Sequence, residues 1–190
     1  DVTALIEKGG YRPIKHAAAT GGTLLIPEAH FDMVRIGIGL YGLWPSAELR
    51  KARRFGNKLR PILSWKTCIS ETKNVAKGEA VGYDFTHRLK QGARVAICPI
   101  GYWHGYPRAL SNVGTVIIEG HLVPILGRVS MDMIVIDITH VPSASVGQEV
   151  MLIGNKGRVS IQADELAEKS GTNNYEILTR LNPLMKKFYV

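Results

Sequence analysis

The stretch Pro99-Ile-Gly-Tyr-Trp-His-Gly-Tyr-Pro-Arg108 follows directly on the apolar run Arg94-Val-Ala-Ile-Cys98. A polar, aromatic knot at the end of a strand spends phenols, an imidazole and a guanidinium where packing alone does not need them. The plain alternative is an aromatic corner that plugs a barrel end, since Gly and Pro are ordinary turn residues. A second candidate is Arg35, set inside the apolar run Met33-Val-Arg-Ile-Gly-Ile-Gly-Leu-Tyr-Gly42. A guanidinium in such a run is costly to bury unpaired, so it is either half of a structural ion pair or a donor for something bound. Just beyond it, the backbone N–H groups of Gly37 and Ile38 open a short helix, a geometry that binds phosphate. Thr20 offers a hydroxyl from the preceding loop, or is a loop hydroxyl and nothing more.

The elements that must position these groups fall into two kinds. Thr3 to Gly9 reads as the end of a helix, stopped by Gly9-Gly10. Ile14 to Thr20 reads as a short strand running into a loop, with a sharp turn at Gly21-Gly22. Thr23 to His30 reads as a short helix or turn stopped near Pro27, and Met33 to Gly42 as a second strand. This alternation is that of β/α units, whose chemistry sits in the loops at the C-terminal ends of the strands. Two such units are too few to close a sheet, and the first residues resemble the middle of a helix without an initiator Met, so a longer parent chain is expected.

Pro45 to Arg60 is basic and irregular and is read as a boundary that includes a solvated linker, Arg50 to Arg54. Beyond it come short strands at close spacing, over 62–69, 72–75, 93–97, 114–118, 121–125, 133–138 and 149–153, with turns ending at Gly78, Gly92, Gly120 and Gly147. That spacing predicts an all-β barrel or sandwich. Ser160 suits the N-cap of a helix over 161–170 that ends at Gly171. Thr172 or Asn173 suits the cap of a second short helix through Leu178, and 188–190 adds a last strand.

With 190 residues, 45% apolar and 21% charged, the chain has the composition of an ordinary globular protein. No apolar run approaches the roughly 20 residues of a membrane span, and the first residues lack the basic start and apolar middle of a signal peptide. Cys68 and Cys98 both lie in strand-like runs and read as buried free thiols in a reducing compartment. The six histidines show no metal spacing. A net charge of +8 leaves open an anionic partner, but no aromatic residues interleave with the basic run to stack bases.

Six motifs in order give the chain a resemblance to the alanine racemase family of fold-type III pyridoxal phosphate (PLP) enzymes. They are His16 to Thr20, Val34 to Gly42, Val81-Gly-Tyr83, Pro99-Ile-Gly-Tyr102 with Gly105-Tyr-Pro-Arg108, Gly127-Arg-Val-Ser-Met-Asp132, and Asn174-Tyr-Glu-Ile177. The resemblance implies a mainly β chain. Residues 1–58 would be the last β/α units of a TIM-type barrel, and 59–190 a C-terminal β-barrel-like domain with two short helices. It implies PLP as cofactor, L-alanine to D-alanine racemisation as activity, D-alanine for cell-wall peptidoglycan as product, a cytoplasmic setting, and a homodimer with a shared active site. Neither a membrane nor a nucleic acid is implied as partner.

The same resemblance assigns roles. Arg35 would face the pyridine nitrogen, where a guanidinium donates a hydrogen bond but keeps its proton. Thr20, Gly37, Ile38 and Tyr175 would hold the phosphate; from the residues alone, Tyr175 reads equally as a half-buried core ring. Tyr83, otherwise a strand-end ring beside a glycine turn, would be the catalytic acid–base group on one face of the α-carbon, presented to the partner subunit's site. A free phenol titrates near ~10, so this role needs positive charge nearby. Tyr102, Arg108 and Arg128 would line the route to the pocket, and Met131 and Asp132 would hold the substrate carboxylate region.

Four departures from the family pattern stand out. Ala19-Thr20 replaces Asn-Ser, keeping the hydroxyl, and Ser130 replaces the Cys before Met131. Trp103-His104 replaces a small residue and an acid at the channel mouth, which opens the identity of the substrate and admits serine. The lysine motif that anchors PLP is not in these 190 residues, so the isolated chain is expected to be inactive. A serine racemase of the same family, and a non-catalytic β-domain that binds an anionic partner through its basic surface, are the alternatives.

Overall fold

The computed structural model describes residues 2–51 and 59–189, which form two compact units, Asp1–Ile62 and Leu63–Val190. No helix among the described residues is long and apolar enough to cross a membrane.

In the first unit, α1 (Val2–Lys8) ends at Gly9-Gly10 as its sequence requires. The two predicted strands are not formed as strands. They shrink to one parallel bridge, Ala19 to Arg35, closed by an Arg35 N–H to Ala18 O bond of 2.9 Å. A parallel pair needs neighbouring strands and cover on both faces, and no other strand flanks this one among the unit's described residues. Gly21-Gly22 do not turn sharply either; they lie inside α2 (Thr20–Leu25). A Cβ at Gly21 would stand 3.2 Å from Leu49 Cδ1, so the small residue serves helix packing. Single 3-10 turns follow at Pro27–Ala29 and Ile38–Tyr41. The stretch expected to be irregular contains α3 (Ala47–Lys51), started by Ser46 Oγ accepting from Leu49 N–H at 3.3 Å and built on good helix formers. Arg50 and Lys51 belong to α3, and the rest of the basic run lies outside the described residues.

The second unit is an antiparallel sheet. Its strands are β1 (Trp65–Cys68), β2 (Glu71–Val75), β5 (Ala93–Cys98), β6 (Thr115–Ile118), β7 (His121–Leu126), β8 (Ile134–Asp137), β9 (Glu149–Lys156) and β10 (Val159–Ile161). They run in the order β1-β9-β6-β7-β8-β5-β2, with β10 also on β9. The strands at the two ends of that order, β1 and β2, are separated in the chain only by Ile69-Ser70. The hairpin β3 (Ala80–Val81) and β4 (His87–Arg88) stands apart. Val116, Ile118, Ile136, Val150 and Leu152 are fully buried between these strands. Their β-branched and apolar side chains suit a pleated surface covered on one or both faces.

The register separates the two cysteines. Cys98 is fully buried at the end of β5, and burial pushes its thiol up to about 12. Cys68, expected buried, is exposed, because on β1 it alternates to the outer side with Lys66.

Helix α4 (Ala163–Ser170) starts two residues later than the sequence suggests. Ser160 is not its cap, because Val159–Ile161 pairs with Gly154–Lys156 and Ile161 is buried in that ladder. Gly171 closes α4 in the left-handed conformation (φ 68°). For α5 (Asn174–Thr179) the cap is Asn173, whose Oδ1 accepts from Glu176 N–H at 3.0 Å. Residues 186–189 form no strand. Phe188 and Tyr189 are exposed, and Lys186 Nζ lies 4.8 Å over the Phe188 ring instead.

Candidate active site

In the first unit the hydroxyl of Thr20 is the organising atom. Thr20 opens α2 and is buried. Its Oγ1 accepts from Gly37 N–H at 3.2 Å and from Gly39 N–H at 3.3 Å. The N–H of Gly37, expected to be free for an anion, is therefore already engaged. A hydroxyl accepts twice and donates once. With both acceptor positions used, the Thr20 O–H proton is what remains, and it has no acceptor among the described residues. Ile38 buries its side chain beneath this turn. Arg35 is exposed, not sunk in an apolar strand. One side of its guanidinium donates to Ala17 O at 3.1 Å, and no carboxylate pairs with it among the described residues. The ion-pair reading of Arg35 is thereby corrected.

In the second unit the loop 127–133, between β7 and β8, is the spine of the candidate site. It carries Arg128, Met131 and Asp132, and three other segments are bonded along it. At one end, Tyr83 and Arg128 form an isolated antiparallel bridge. Arg128 Nη1 reaches Asp84 Oδ2 at 2.8 Å. Tyr83 sits at the tip of the β3–β4 hairpin, where Gly82, Asp84 and Phe85 all have positive φ, and its ring is 64% exposed. Such a phenol is available to a second molecule and is not a core ring. At the other end, Tyr102 and Trp103 donate their N–H groups to Ser130 O and Met131 O at 3.0 and 2.9 Å. The segment after Arg108 lies along the middle. Ser111 Oγ accepts from Val129 N–H at 3.0 Å and Asn112 Oδ1 from Gly127 N–H at 2.7 Å.

Ser130 fixes the turn of this loop. Its Oγ both donates to Met133 O and accepts from Met133 N–H, each at 2.9 Å. Tyr102, Met131, Asp132 and Arg108 are all exposed. Tyr175 is 42% exposed near the start of α5, and no hydrogen bond joins it to the 127–133 loop among the described residues. The sequence reading missed Asp84 as the partner of Arg128, and Ser111 and Asn112 as the ties that hold the loop. Asp84 was signalled by its place after a Gly-Tyr pair, where a turn allows an acid to adopt positive φ.

Residues 62–189 match the family of the alanine racemase C-terminal domain, and residues 1–45 that of the N-terminal domain. The chain belongs to the alanine racemase family. It is 44% identical over 181 residues to an alanine racemase of Leptospira interrogans, covering 93% of this chain and 46% of that protein. It is 43% identical over 177 residues to one of Syntrophobacter fumaroxidans, with the same coverage. The structure resembles that of the Bacillus anthracis alanine racemase with bound L-Ala-P, at TM-score 0.86 and 39% identity over 95% of this chain and 46% of that one. It also resembles an alanine racemase from a D-cycloserine-producing Streptomyces lavendulae, at TM-score 0.87 and 34% identity over 96% and 47%. The chain spans about half the length of the curated relatives it matches.

Proposed function

We propose that this chain is the C-terminal part of a PLP-dependent racemase that converts L-alanine to D-alanine, and that Tyr83 supplies the acid–base group for one face of the α-carbon. The observation that carries this is the exposed phenol of Tyr83, on a fixed turn, bridged by backbone to Arg128 in a family member. Residues 1–58 belong to a β/α barrel and 59–190 to a β-barrel-like domain. A sheet whose end strands are two residues apart is compatible with closure.

The donor set of the first unit fits PLP. The Thr20 hydroxyl proton, with Ile38 N–H in the adjacent turn, suits a phosphate, and the unpaired face of Arg35 suits a pyridine nitrogen, which accepts but need not be protonated. When bound, PLP supplies the electron-withdrawing ring that acidifies the substrate α-carbon.

The residues of this chain do the rest. Met131 and Asp132 hold the substrate carboxylate region. Tyr102, Arg108 and Arg128 line its approach, and Arg128 brings positive charge beside the hairpin that bears Tyr83. The phenol moves a proton at one face, as racemisation requires a base on one side and an acid on the other. The exposed phenol is free to serve a second copy's site, and on this reading the active enzyme is a homodimer. It works in the cytoplasm and supplies D-alanine for peptidoglycan; the 190-residue chain alone does not racemise.

The test uses the intact enzyme in deuterated water with L- and D-alanine. Tyr83→Phe should abolish α-proton exchange of one enantiomer and spare the other. Exchange of both at wild-type rates would remove Tyr83 from the chemistry. L-Serine in the same assay decides between alanine and the serine reading, which the exposed Trp103 at the mouth keeps open.

A further inference from the structure

The turn Tyr102–His104 lies flush against the 127–133 loop. A Cβ on Gly101 would stand 2.3 Å from Ser130 O and 2.6 Å from Asp132 N. Nearly every backbone group of this turn is accounted for by backbone or amide partners. Gly101 O accepts from His104 N–H and Tyr106 N–H at 3.0 and 3.1 Å. Trp103 O accepts from Asn182 Nδ2 at 3.0 Å, and His104 O from Asn182 N–H at 3.1 Å. The buried Gly101 N–H is the exception: it donates to the Nδ1 of His104 at 3.1 Å. A backbone N–H can only donate, so Nδ1 must carry its lone pair and the ring proton must sit on Nε2. The neighbouring Trp103 ring and this imidazole meet edge to face, centroids 4.9 Å apart at 85°.

We infer that His104 is a positioning residue whose neutral, Nε2-protonated imidazole holds the turn bearing Tyr102 against the loop bearing Met131 and Asp132. An imidazolium would set Nδ1–H against Gly101 N–H, donor against donor, and the residue packed most tightly on the loop would lose the partner of its buried N–H. An acid at this position would accept across the whole neutral range, so the histidine makes the geometry of the mouth dependent on its protonation state. The charged groups on the elements packed here are Asp132 on the facing loop, the Glu176–Arg180 pair on α5, and Arg108 beyond the turn. None of them bonds to the imidazole among the described residues. In treating Tyr102 and Met131 as pocket residues the inference rests on the racemase reading, but its readouts do not involve turnover, so either can fail alone.

The test is nuclear magnetic resonance on the 15N-labelled protein between about pH 5 and about pH 8, the range in which histidines titrate. Long-range imidazole correlations should show a bare Nδ1 at the upper end. The Gly101 amide should lose about tenfold or more of its hydrogen-exchange protection as the ring becomes protonated. His104→Ala should lack that protection at every pH, and His104→Asp should restore it without the pH dependence. His104→Asn, whose amide oxygen accepts and does not titrate, should keep the protection at every pH and serves if the alanine variant does not fold. A proton on Nδ1 at neutral pH, equal protection in wild type and His104→Ala, or an aspartate variant that behaves like alanine would each overturn the inference.

Discussion

Tyr83 and Arg128 face each other across a one-residue antiparallel bridge, and the residue before each is a glycine pressed against its counterpart. A Cβ on Gly82 would stand 2.9 Å from Gly127 Cα, and Gly82 has φ 79°. The hairpin tip can approach the loop only because neither backbone carries a side chain at that point. Gly82→Ala should therefore lower stability by about 1–3 kcal/mol through overlap and backbone strain together. Gly78 has φ 85° with nothing within 4 Å, so Gly78→Ala should cost about 1 kcal/mol from strain alone. Urea midpoints of the two variants check the difference. Equal losses would mean that the approach of the two backbones does not constrain the tip.

The Asp84–Arg128 pair is 2.8 Å long, with side chains 46% and 41% exposed. Solvent screening leaves such a pair worth less than about 1 kcal/mol. Asp84→Asn should shift the thermal midpoint little, and by still less in high salt. On the role proposed for Arg128, it should raise KM for alanine several-fold in the intact enzyme, because the guanidinium is no longer oriented. A large loss of stability with an unchanged KM would reverse this assignment.

Thr20 has a structural duty that is separable from any anion. Thr20→Val keeps the shape and strands the N–H groups of Gly37 and Gly39, at about 1–3 kcal/mol for each that stays dry. Thr20→Ser keeps the acceptor and should cost less than about 1 kcal/mol. Equilibrium unfolding measures both, and phosphate-dependent protection of the serine variant but not of the valine variant would speak for the hydroxyl proton as an anion donor.

The two thiols should separate cleanly. A disulfide-exchange reagent near pH 8 should modify Cys68 in the folded protein and Cys98 only after unfolding, since the thiolate is the nucleophile. The raised thiol also sets a pH slope. Cys98 remains protonated when folded at a pH where the unfolded thiol, near ~8.5, ionises. The folded state then binds more protons, so stability is complete below the unfolded value and falls as pH rises from about 9 towards about 12. The buried Tyr106 phenol, also shifted upward by burial, adds a slope of the same sign. Cys98→Ala should remove part of that alkaline loss; an unchanged alkaline slope would contradict the assignment.

The sheet was readable where side chains alternate or run apolar, as in β6, β8 and the five consecutive buried residues of β9. The two-residue strands β3 and β4 were not, because their pairing depends on three positive-φ residues at the tip and carries no period. Ser160 looked like a helix cap because its type suits one; the ladder with Asn155 took it first. The strand-like runs around Ala19 and Arg35 failed for want of neighbouring strands, which no local pattern reports. Among the candidate site residues, types and order pointed to Tyr83, Arg128 and Met131. The pairing of Asp84 with Arg128, and the ties of Ser111 to Val129 and Asn112 to Gly127, become visible only when the loop is folded, since each spans distant parts of the chain.

Ile69-Ser70 joins the two ends of the strand order. During synthesis, residues 65–68 therefore leave the ribosome long before β9, their only ladder partner among the described residues, exists. The sheet cannot be completed around β1 until β9 has been made. Its first-made edge stays open to other chains until residue 156 has emerged, which makes this half of the protein a natural client for chaperones.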